Sequence, residues 1–257
     1  MTPAAGTADI TSRADWPPGR VLVVAATYEE RSNVEPLMDR VLAAGPDLQL
    51  LVVDDDSPDG TGTVALQRAA CEPRLHVLVR RGRRGLGGAI LEAFDLAREH
   101  GFEIAVNMDA DLSHDPADIP RLLAALEPAG ARPADVVIGS RRVPGGRSVG
   151  WPLSRHVVSR MVGWFTRWVV GVPARDASSG FRAVRLATFE RIPRSFAPGY
   201  TFLEEMLWQV HRCGGRIVEV PITFTNREQG SSKAGLHEAL VGGWRLLQLA
   251  AAARLGR

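Results

Sequence analysis

A chain of 257 residues with 45% hydrophobic and 23% charged side chains can bury a sizeable core and has the balance of an ordinary globular protein. A formal net charge of +2 argues against nucleic-acid binding by bulk electrostatics, and two cysteines exclude a disulfide framework and a cysteine-rich zinc site. No run of about 18 apolar residues occurs, so no segment is expected to span a membrane, and residues 1–19, lacking the basic start and apolar centre of a signal peptide, are expected to form a disordered leader of a cytoplasmic protein.

Residues 21–26 read as a buried strand that breaks at Thr27, Tyr28, Glu29 and Glu30. Ser32 stands as the expected N-cap of a helix, with Glu35 three residues on and Val34, Leu37, Met38, Val41 and Leu42 at helical spacing. A second strand, 48–53, runs into Asp54, Asp55 and Asp56. Then come a helix over 61–70, a third strand over 76–80, a glycine-rich turn over 82–88, and a helix carrying Ile90, Leu91, Phe94 and Ala97. A fourth strand ends at Asp109; a helix with Ile119, Leu122 and Leu126 and a strand over 136–139 follow. Strands alternating with helices predict an α/β fold, a mostly parallel sheet with helices on both faces. Ligands of such folds bind at the carboxyl ends of the strands, and the polar clusters after residues 26, 53 and 108 all fall there.

In MDADLSH, residues 108–114, two carboxylates stand one residue apart at a strand end. Extended side chains alternate faces, so Asp109 and Asp111 can reach one cation, and hard oxygen ligands favour Mg2+ or Mn2+ bridging to nucleotide phosphates. A solvated turn capping the next helix is the competing reading.

Past Gly139 the character changes. GSRRVPGG reads as a flexible basic loop, and a helix over 153–170 puts Leu153, Val157, Met161, Trp164, Phe165 and Trp168 on one face and Arg155, Ser159, Arg160 and Arg167 on another. Such a helix suits a membrane interface, and it also suits packing against a core or a subunit. A second amphipathic helix is expected over 236–257, with Leu240, Trp244, Leu247 and Ala251 on one stripe. Residues 217–224 alternate like a strand, with Pro221 pointing to a sheet edge, and 225–233 read as an active-site flap containing Lys233, the only lysine.

With ATYEER, DDDSPDGT, RRGLGGA, MDADLSH, GSRRVPGG followed by GWPLSR, SSGFRAV, GYTFLEEM and REQGSSK in that order, the sequence resembles the dolichol- or polyprenol-phosphate mannosyltransferases of glycosyltransferase family 2. The resemblance covers residues 21–240 and implies a GT-A, Rossmann-like domain over 20–235 that includes the interface helix 153–170. It implies GDP-mannose as donor, a polyprenyl or dolichyl phosphate as acceptor, and a metal cofactor. By position, Ala26, Tyr28, Glu30, Val53 and Asp55 would line the nucleoside pocket, with Asp109, Ala110 and Asp111 beside the donor and Ser113 as a further metal ligand. Arg141 would meet the donor diphosphate or sugar, Arg227 and Lys233 would reach it from the flap, and Arg155 and Ser159, one helical turn apart, would hold the lipid phosphate. The family's usual proline and asparagine are Ala26 and Glu29 here, which adds a negative charge near the nucleoside pocket.

The chemistry expected is one in-line displacement with inversion. The acceptor phosphate is already anionic and needs no general base, while the metal, Arg227 and Lys233 steady the leaving nucleotide, which assigns Asp111, Arg141, Arg227 and Lys233 to catalysis. Within the enzyme class the alternative is a UDP-glucose-dependent transfer to the same lipid; from another class it is a non-catalytic nucleotide- or lipid-binding subunit. A sugar-phosphate nucleotidyltransferase would open with a basic, glycine-rich loop where Tyr28, Glu29 and Glu30 stand. The expected location is the cytoplasmic face of a membrane, reached through the interface helices or a membrane-anchoring partner protein, with no nucleic acid involved.

Overall fold

A computed structural model describes residues 9–10, 16–193, 201–226, 243–244, 247–251 and 253–254. In chain order the elements are β1 (Asp9–Ile10), β2 (Val21–Thr27), α1 (Val34–Ala43), β3 (Leu48–Asp54), α2 (Thr61–Ala69), β4 (Leu75–Val79), α3 (Leu86–Glu99) and β5 (Ile104–Asp109). A 3-10 turn (Pro116–Asp118) leads to α4 (Ile119–Leu126), β6 (Val136–Ser140), β7 (Arg147–Val149) and α5 (Leu153–Phe165), which continues into a π-helical turn (Thr166–Val170). Then come β8 (Arg182–Arg185), α6 (Leu186–Arg191), α7 (Phe202–Arg212), β9 (Ile217–Pro221) and β10 (Thr223–Thr225).

Eight strands form one sheet in the order β1-β4-β3-β2-β5-β8-β6-β9, and β10 pairs with β7 in a second, two-stranded sheet. The runs VLVVAAT and LQLLVVD are apolar almost throughout because both faces of a central parallel strand are covered. Alternation assigns the faces. Leu22, Val24, Leu51 and Val53 join Phe94, Phe189, Phe202 and Met206 in one core, while Val23, Ala25, Leu50 and Val52 join Leu37, Met38, Val41 and Leu122 in the other. Antiparallel β8 sits between β5 and β6, an insertion that strand-helix alternation does not reveal. Pro221 closes β9 at the sheet edge, as its missing N–H suggests.

The chain runs outward from β2 to β3 and β4, then returns to the other side of β2 with β5, so the strand order reverses at β2. At such a switch point diverging loops leave a crevice outside the carboxyl ends.

Three local expectations change. Helix α1 starts at Val34, with Asn33 rather than Ser32 at the cap position, because the Glu30 carbonyl accepts from the amides of both Asn33 and Val34 at 2.9 Å. Residues 16–19, expected in a disordered leader, pack instead: Trp16 stacks between His76 at 3.8 Å and His100 at 4.1 Å, and Gln49 Nε2 donates to the Pro17 carbonyl at 2.9 Å. Phe165 leaves the outer stripe of α5 and packs against the core, the helix being drawn in at Gly163, where a Cβ would stand 2.7 Å from the Arg175 carbonyl.

Candidate active site

The crevice is built by backbone register. Ala26 of β2 pairs with Val53 on one side and Asp109 on the other, which sets the ends of three strands in one row. The loops that leave this row are tied to each other. Asp54 accepts from Thr27 Oγ1 at 2.9 Å, Ser57 N at 2.9 Å and Ser57 Oγ at 2.6 Å; the Glu29 amide donates to Ser57 Oγ and the Glu30 amide to Thr61 Oγ1, both at 3.0 Å. The three non-glycine residues with positive φ among those described, Glu29, Asp56 and Leu112, fall one in each of the three loops. Such backbone strain persists where surrounding contacts enforce it and gathers at functional sites.

The residues expected around the nucleoside divide by placement. Tyr28 is half-buried with the Arg84 guanidinium 4.2 Å above its ring, a planar pair at the mouth of the crevice. Val53 turns its side chain into the core. Glu30 Oε2 accepts from Asn33 Nδ2 at 2.7 Å, and so helps to start α1. Asp55 is buried; its Oδ2 accepts from the Gly85 amide at 2.8 Å and its Oδ1 from Arg80 at 2.7 Å. Burial raises the Asp55 carboxyl pKa against the pull of the Gly85 amide and Arg80. Asp55 therefore pins the glycine-rich turn ahead of α3, and Gly88 in the first turn of α3 leaves room for the buried Arg80: a Cβ there would stand 2.9 Å from Arg80 Nη2.

Asp109 ends β5, Ala110 turns into the core, and Asp111 follows with its Oδ1 accepting from the Ser113 amide at 3.1 Å. Ser113, expected as a further ligand, is buried at 2% exposure and meets the pair through that backbone N–H. Among the described residues no group of three or more His, Cys, Asp or Glu side chains could hold a metal. Two carboxylates with open coordination positions suit a magnesium- or manganese-sized cation that also binds phosphate oxygens. Gly180 supports this fit, because a Cβ there would stand 2.7 Å from Asp109 Oδ1. Its carbonyl is held by Asn107 Nδ2 at 2.6 Å.

His114 lies beneath the pair, almost wholly buried, and its Nδ1 faces the Asp109 amide at 3.2 Å. Burial depresses its pKa, outweighing the neighbouring Asp109. A neutral ring that accepts at Nδ1 orders the motif, packed against Phe181 and Phe224 with centroids at 5.1 Å. A polar cavity of about 650 Å3 opens on the Asp111 side, bounded by Asn33, Arg40, Asp115 and Asn226.

The arginine side changes one expectation. GSRRVPGG is a tight turn rather than a flexible loop: the Gly146 amide donates to the Val143 carbonyl at 2.8 Å, and a Cβ on Gly146 would stand 2.4 Å from the Ser140 carbonyl. Arg141, expected at the donor diphosphate, closes a fork on buried Asp176, with Nε at 2.7 Å, Nη2 at 2.6 Å and its own amide at 2.8 Å. Burial opposes ionisation of Asp176, yet the fork outweighs it and keeps the carboxyl below its ordinary value. Next in sequence, Arg142 Nη2 donates to Ser159 Oγ at 2.6 Å, while Arg155 donates to Asn226 Oδ1 at 3.3 Å and stacks 4.4 Å from the Trp151 ring. Arg155 and Ser159 stand one helical turn apart on α5, and Arg142 reaches Ser159. Arg227 and Lys233 lie outside the described residues.

Sequence reasoning therefore missed Arg142, Asp176, Gly180 and Arg84. The doubled arginine of GSRRV and the acidic start of DASSG were visible, but nothing local told which arginine Asp176 would take.

A family model described as glycosyl transferase family 2 matches residues 22–192. The chain is 45% identical over 216 residues to an undecaprenyl-phosphate mannosyltransferase of Micrococcus luteus, covering 83% of this chain and 87% of that one. It is 44% identical over 220 residues to a polyprenol monophosphomannose synthase of Mycolicibacterium smegmatis, covering 84% and 82%. It is 35% identical to a dolichol-phosphate mannosyltransferase of Pyrococcus furiosus, covering 83% of this chain and 59% of that one. Among solved structures, glucosyl-3-phosphoglycerate synthase of Mycobacterium tuberculosis with Mn2+, UDP-glucose and glycerol 3-phosphate shares the fold at a TM-score of 0.64 and 19% identity, over 91% of this chain and 80% of that one. From its strand-end crevice to its sequence relatives, the chain belongs to glycosyl transferase family 2.

Proposed function

We propose that the protein transfers mannose from GDP-mannose to a polyprenyl phosphate, with inversion, giving a lipid-linked β-mannosyl phosphate. The observation that carries this reading is the juxtaposition of an acidic strand-end pair with a cationic group on a helix whose other face is apolar and open to solvent. Leu153, Val157, Met161, Trp164 and Trp168 of that helix and its π-helical turn are 49–79% exposed, and Trp244 and Leu247 are 63% and 54% exposed. An acceptor with an anionic head and an isoprenoid tail matches both faces, and the names of the M. luteus and M. smegmatis relatives support it.

A lone pair on a phosphate oxygen attacks the anomeric carbon as the bond from that carbon to the donor diphosphate breaks, and the electron pair leaves with the nucleotide. Arg155 and Ser159 hold and orient the attacking phosphate. Asp109 and Asp111 would hold a divalent cation, which offsets charge on the departing diphosphate. Tyr28 and Arg84 flank the nucleoside, and Arg227 and Lys233 are assigned to the diphosphate. No side chain need remove a proton, and His114, neutral and accepting from a backbone amide, is not placed to do so.

Among the described residues no helix is long and apolar enough to cross a membrane. Lipid access is assigned to the exposed face of α5, lying in the interface of the cytoplasmic leaflet. The test is an assay with radiolabelled GDP-mannose and UDP-glucose against a short polyprenyl phosphate, scoring label that partitions into organic solvent. Label from GDP-mannose is expected; label from UDP-glucose alone would reassign the donor, and label from neither would end the reading.

A further inference from the structure

One short segment, residues 176–182, touches both the carboxylate side and the arginine side of the crevice. Toward the carboxylates, a Cβ on Gly180 would stand 2.7 Å from Asp109 Oδ1, and the Gly180 carbonyl accepts from Asn107 Nδ2 at 2.6 Å. Toward the arginines, Asp176 carries the fork on Arg141, while its own amide donates to Glu219 Oε1 of β9 at 2.9 Å and Ser179 Oγ donates to the Gly139 carbonyl at 2.6 Å. Until β8 begins at Arg182 the segment lies outside helix and strand, so side chains must satisfy much of its backbone. Arg182 does most of this. Its side chain is 0% exposed; Nε donates to the Ser179 carbonyl at 2.7 Å, Nη2 to the Ala177 carbonyl, and Nη1 to the Leu203 carbonyl in the first turn of α7.

Removing a guanidinium from water is costly, and carbonyl dipoles offset only part of that cost. Burial lowers the Arg182 pKa to about 10; Glu204, then Asp176 and Asp109, favour its charge, and Arg141 opposes it. Glu204, one residue past the Leu203 carbonyl, is 6% exposed, and its Oε2 has no hydrogen-bond partner. Burial pushes its carboxyl up to about 7, against the pull of Arg182 and with the Asp176 charge adding to the rise. Apolar residues of similar volume would avoid both costs. They could not hold three carbonyls from two separate segments in the plane of one fork.

We propose that Arg182, balanced by Glu204, is a positioning residue that sets both sides of the crevice through this one segment: by fixing Ala177 and Ser179 to the start of α7, it keeps Gly180 on Asp109 and Asp176 on Arg141. What the two sides bind rests on the function proposed above; the clamp itself does not.

The test is hydrogen exchange, read by mass spectrometry well below Tm, on Arg182→Lys, which keeps the cation and loses the planar fork. Amides in 108–114 and in 139–146 should exchange about tenfold faster than in the parent, as expected when a buried hydrogen bond is lost locally, while those in 34–43 and 48–54 keep parent rates. A residue that only stabilised the fold would not single out these two segments, so faster exchange throughout, in one of the two alone, or in neither overturns the clamp. Mn2+ titrated calorimetrically into the substrate-free protein should bind about tenfold more weakly to the variant; parent-like affinity overturns the link to Asp109. Should Arg182→Lys fail to fold, Glu204→Gln carries the test. The paired change in exchange is then expected at pH 8, where the parent carboxyl is ionised, and should largely vanish at pH 6, where the parent carboxyl holds its proton; no change at pH 8, or an equal change at both, overturns the balancing role. None of these measurements uses a sugar donor or a prenyl phosphate. If the parent transfers no mannose while the paired change is seen, the transferase reading fails and the clamp stands.

Discussion

The two halves of the cleft are held by different means. Around β2, β3 and β5 the key groups are carboxylates and backbone amides in a closed mesh: Asp54 and Asp55 together accept from Thr27, Ser57, Gly85 and Arg80, and the residues that face the crevice are positioned by strand register. Around β6 and α5 the key groups are arginines on longer, more open supports, next to an apolar surface that faces solvent. A site for a polar nucleotide gains from preorganised polar groups whose geometry is set before binding. A site for a lipid head must stay reachable from a membrane plane, so part of its surface remains exposed in the protein alone.

Breaking the carboxylate half should cost chemistry. Asp111→Ala is expected to lower kcat by about 100- to 1,000-fold with acceptor KM little changed, measured with saturating Mg2+ or Mn2+; near-parent turnover would remove the pair from the reaction. Gly180→Ala is gentler and more diagnostic, since its new methyl would meet Asp109 Oδ1, itself anchored on the strand. About a tenfold loss in apparent metal affinity is expected, by the reasoning that applies to groups supporting a ligand, with thermal stability little changed.

Breaking the arginine half should cost stability or access. Asp176→Ala leaves Arg141 buried without its partner and is expected to destabilise by about 3–5 kcal/mol, read as a fall in Tm of roughly 2–4 °C per kcal/mol for a domain of this size. Replacing Trp164 and Trp168 together by serine should weaken cosedimentation with anionic vesicles by about tenfold or more, given the apolar area of two indoles. Turnover of a short, water-soluble prenyl phosphate should stay within about twofold of the parent; a fall in that activity would mean that the face packs rather than docks.

The smallest effect expected is one of pH and lies away from both halves. His76, buried between Trp16 and Gln49, has its pKa lowered from 6.5 to about 4, chiefly by burial. Its proton binds more tightly in the unfolded chain, so its contribution to stability is present above pH 6.5 and is lost as pH falls through about 4. Urea unfolding should show stability decreasing across that window, with this one group contributing no more than about 1.4 kcal/mol per pH unit. His76→Phe, which preserves the ring against Trp16, should flatten the slope; an unaltered slope would assign the effect to another group.

Much of the fold was legible because its cause is local. Short apolar runs rich in β-branched residues, such as VLVVAAT, favour buried strands, and the break to polar residues at Thr27, Asp54 and Asp109 marks the carboxyl ends where a parallel sheet opens its crevice. The placement of Arg155 and Ser159 one turn apart on α5 was legible for the same reason, since the helical period is local. Antiparallel β8, the inward turn of Phe165 and the stacking of Trp16 were not, because each depends on segments distant in sequence.

By itself the sequence determined the α/β architecture, the strand ends that bear the carboxylates and the helical spacing of Arg155 and Ser159, all of which follow from side-chain period and chain stiffness. Only the tertiary structure decided what each charge does. It brought Asp176, 35 residues on, to Arg141, and so left Arg142 facing Ser159; it placed Gly180 against Asp109 and aimed His114 Nδ1 at a backbone amide. The identity of an ion's partner is a matter of ångströms between groups that the chain does not hold adjacent, and no pattern of neighbours along the sequence carries that distance.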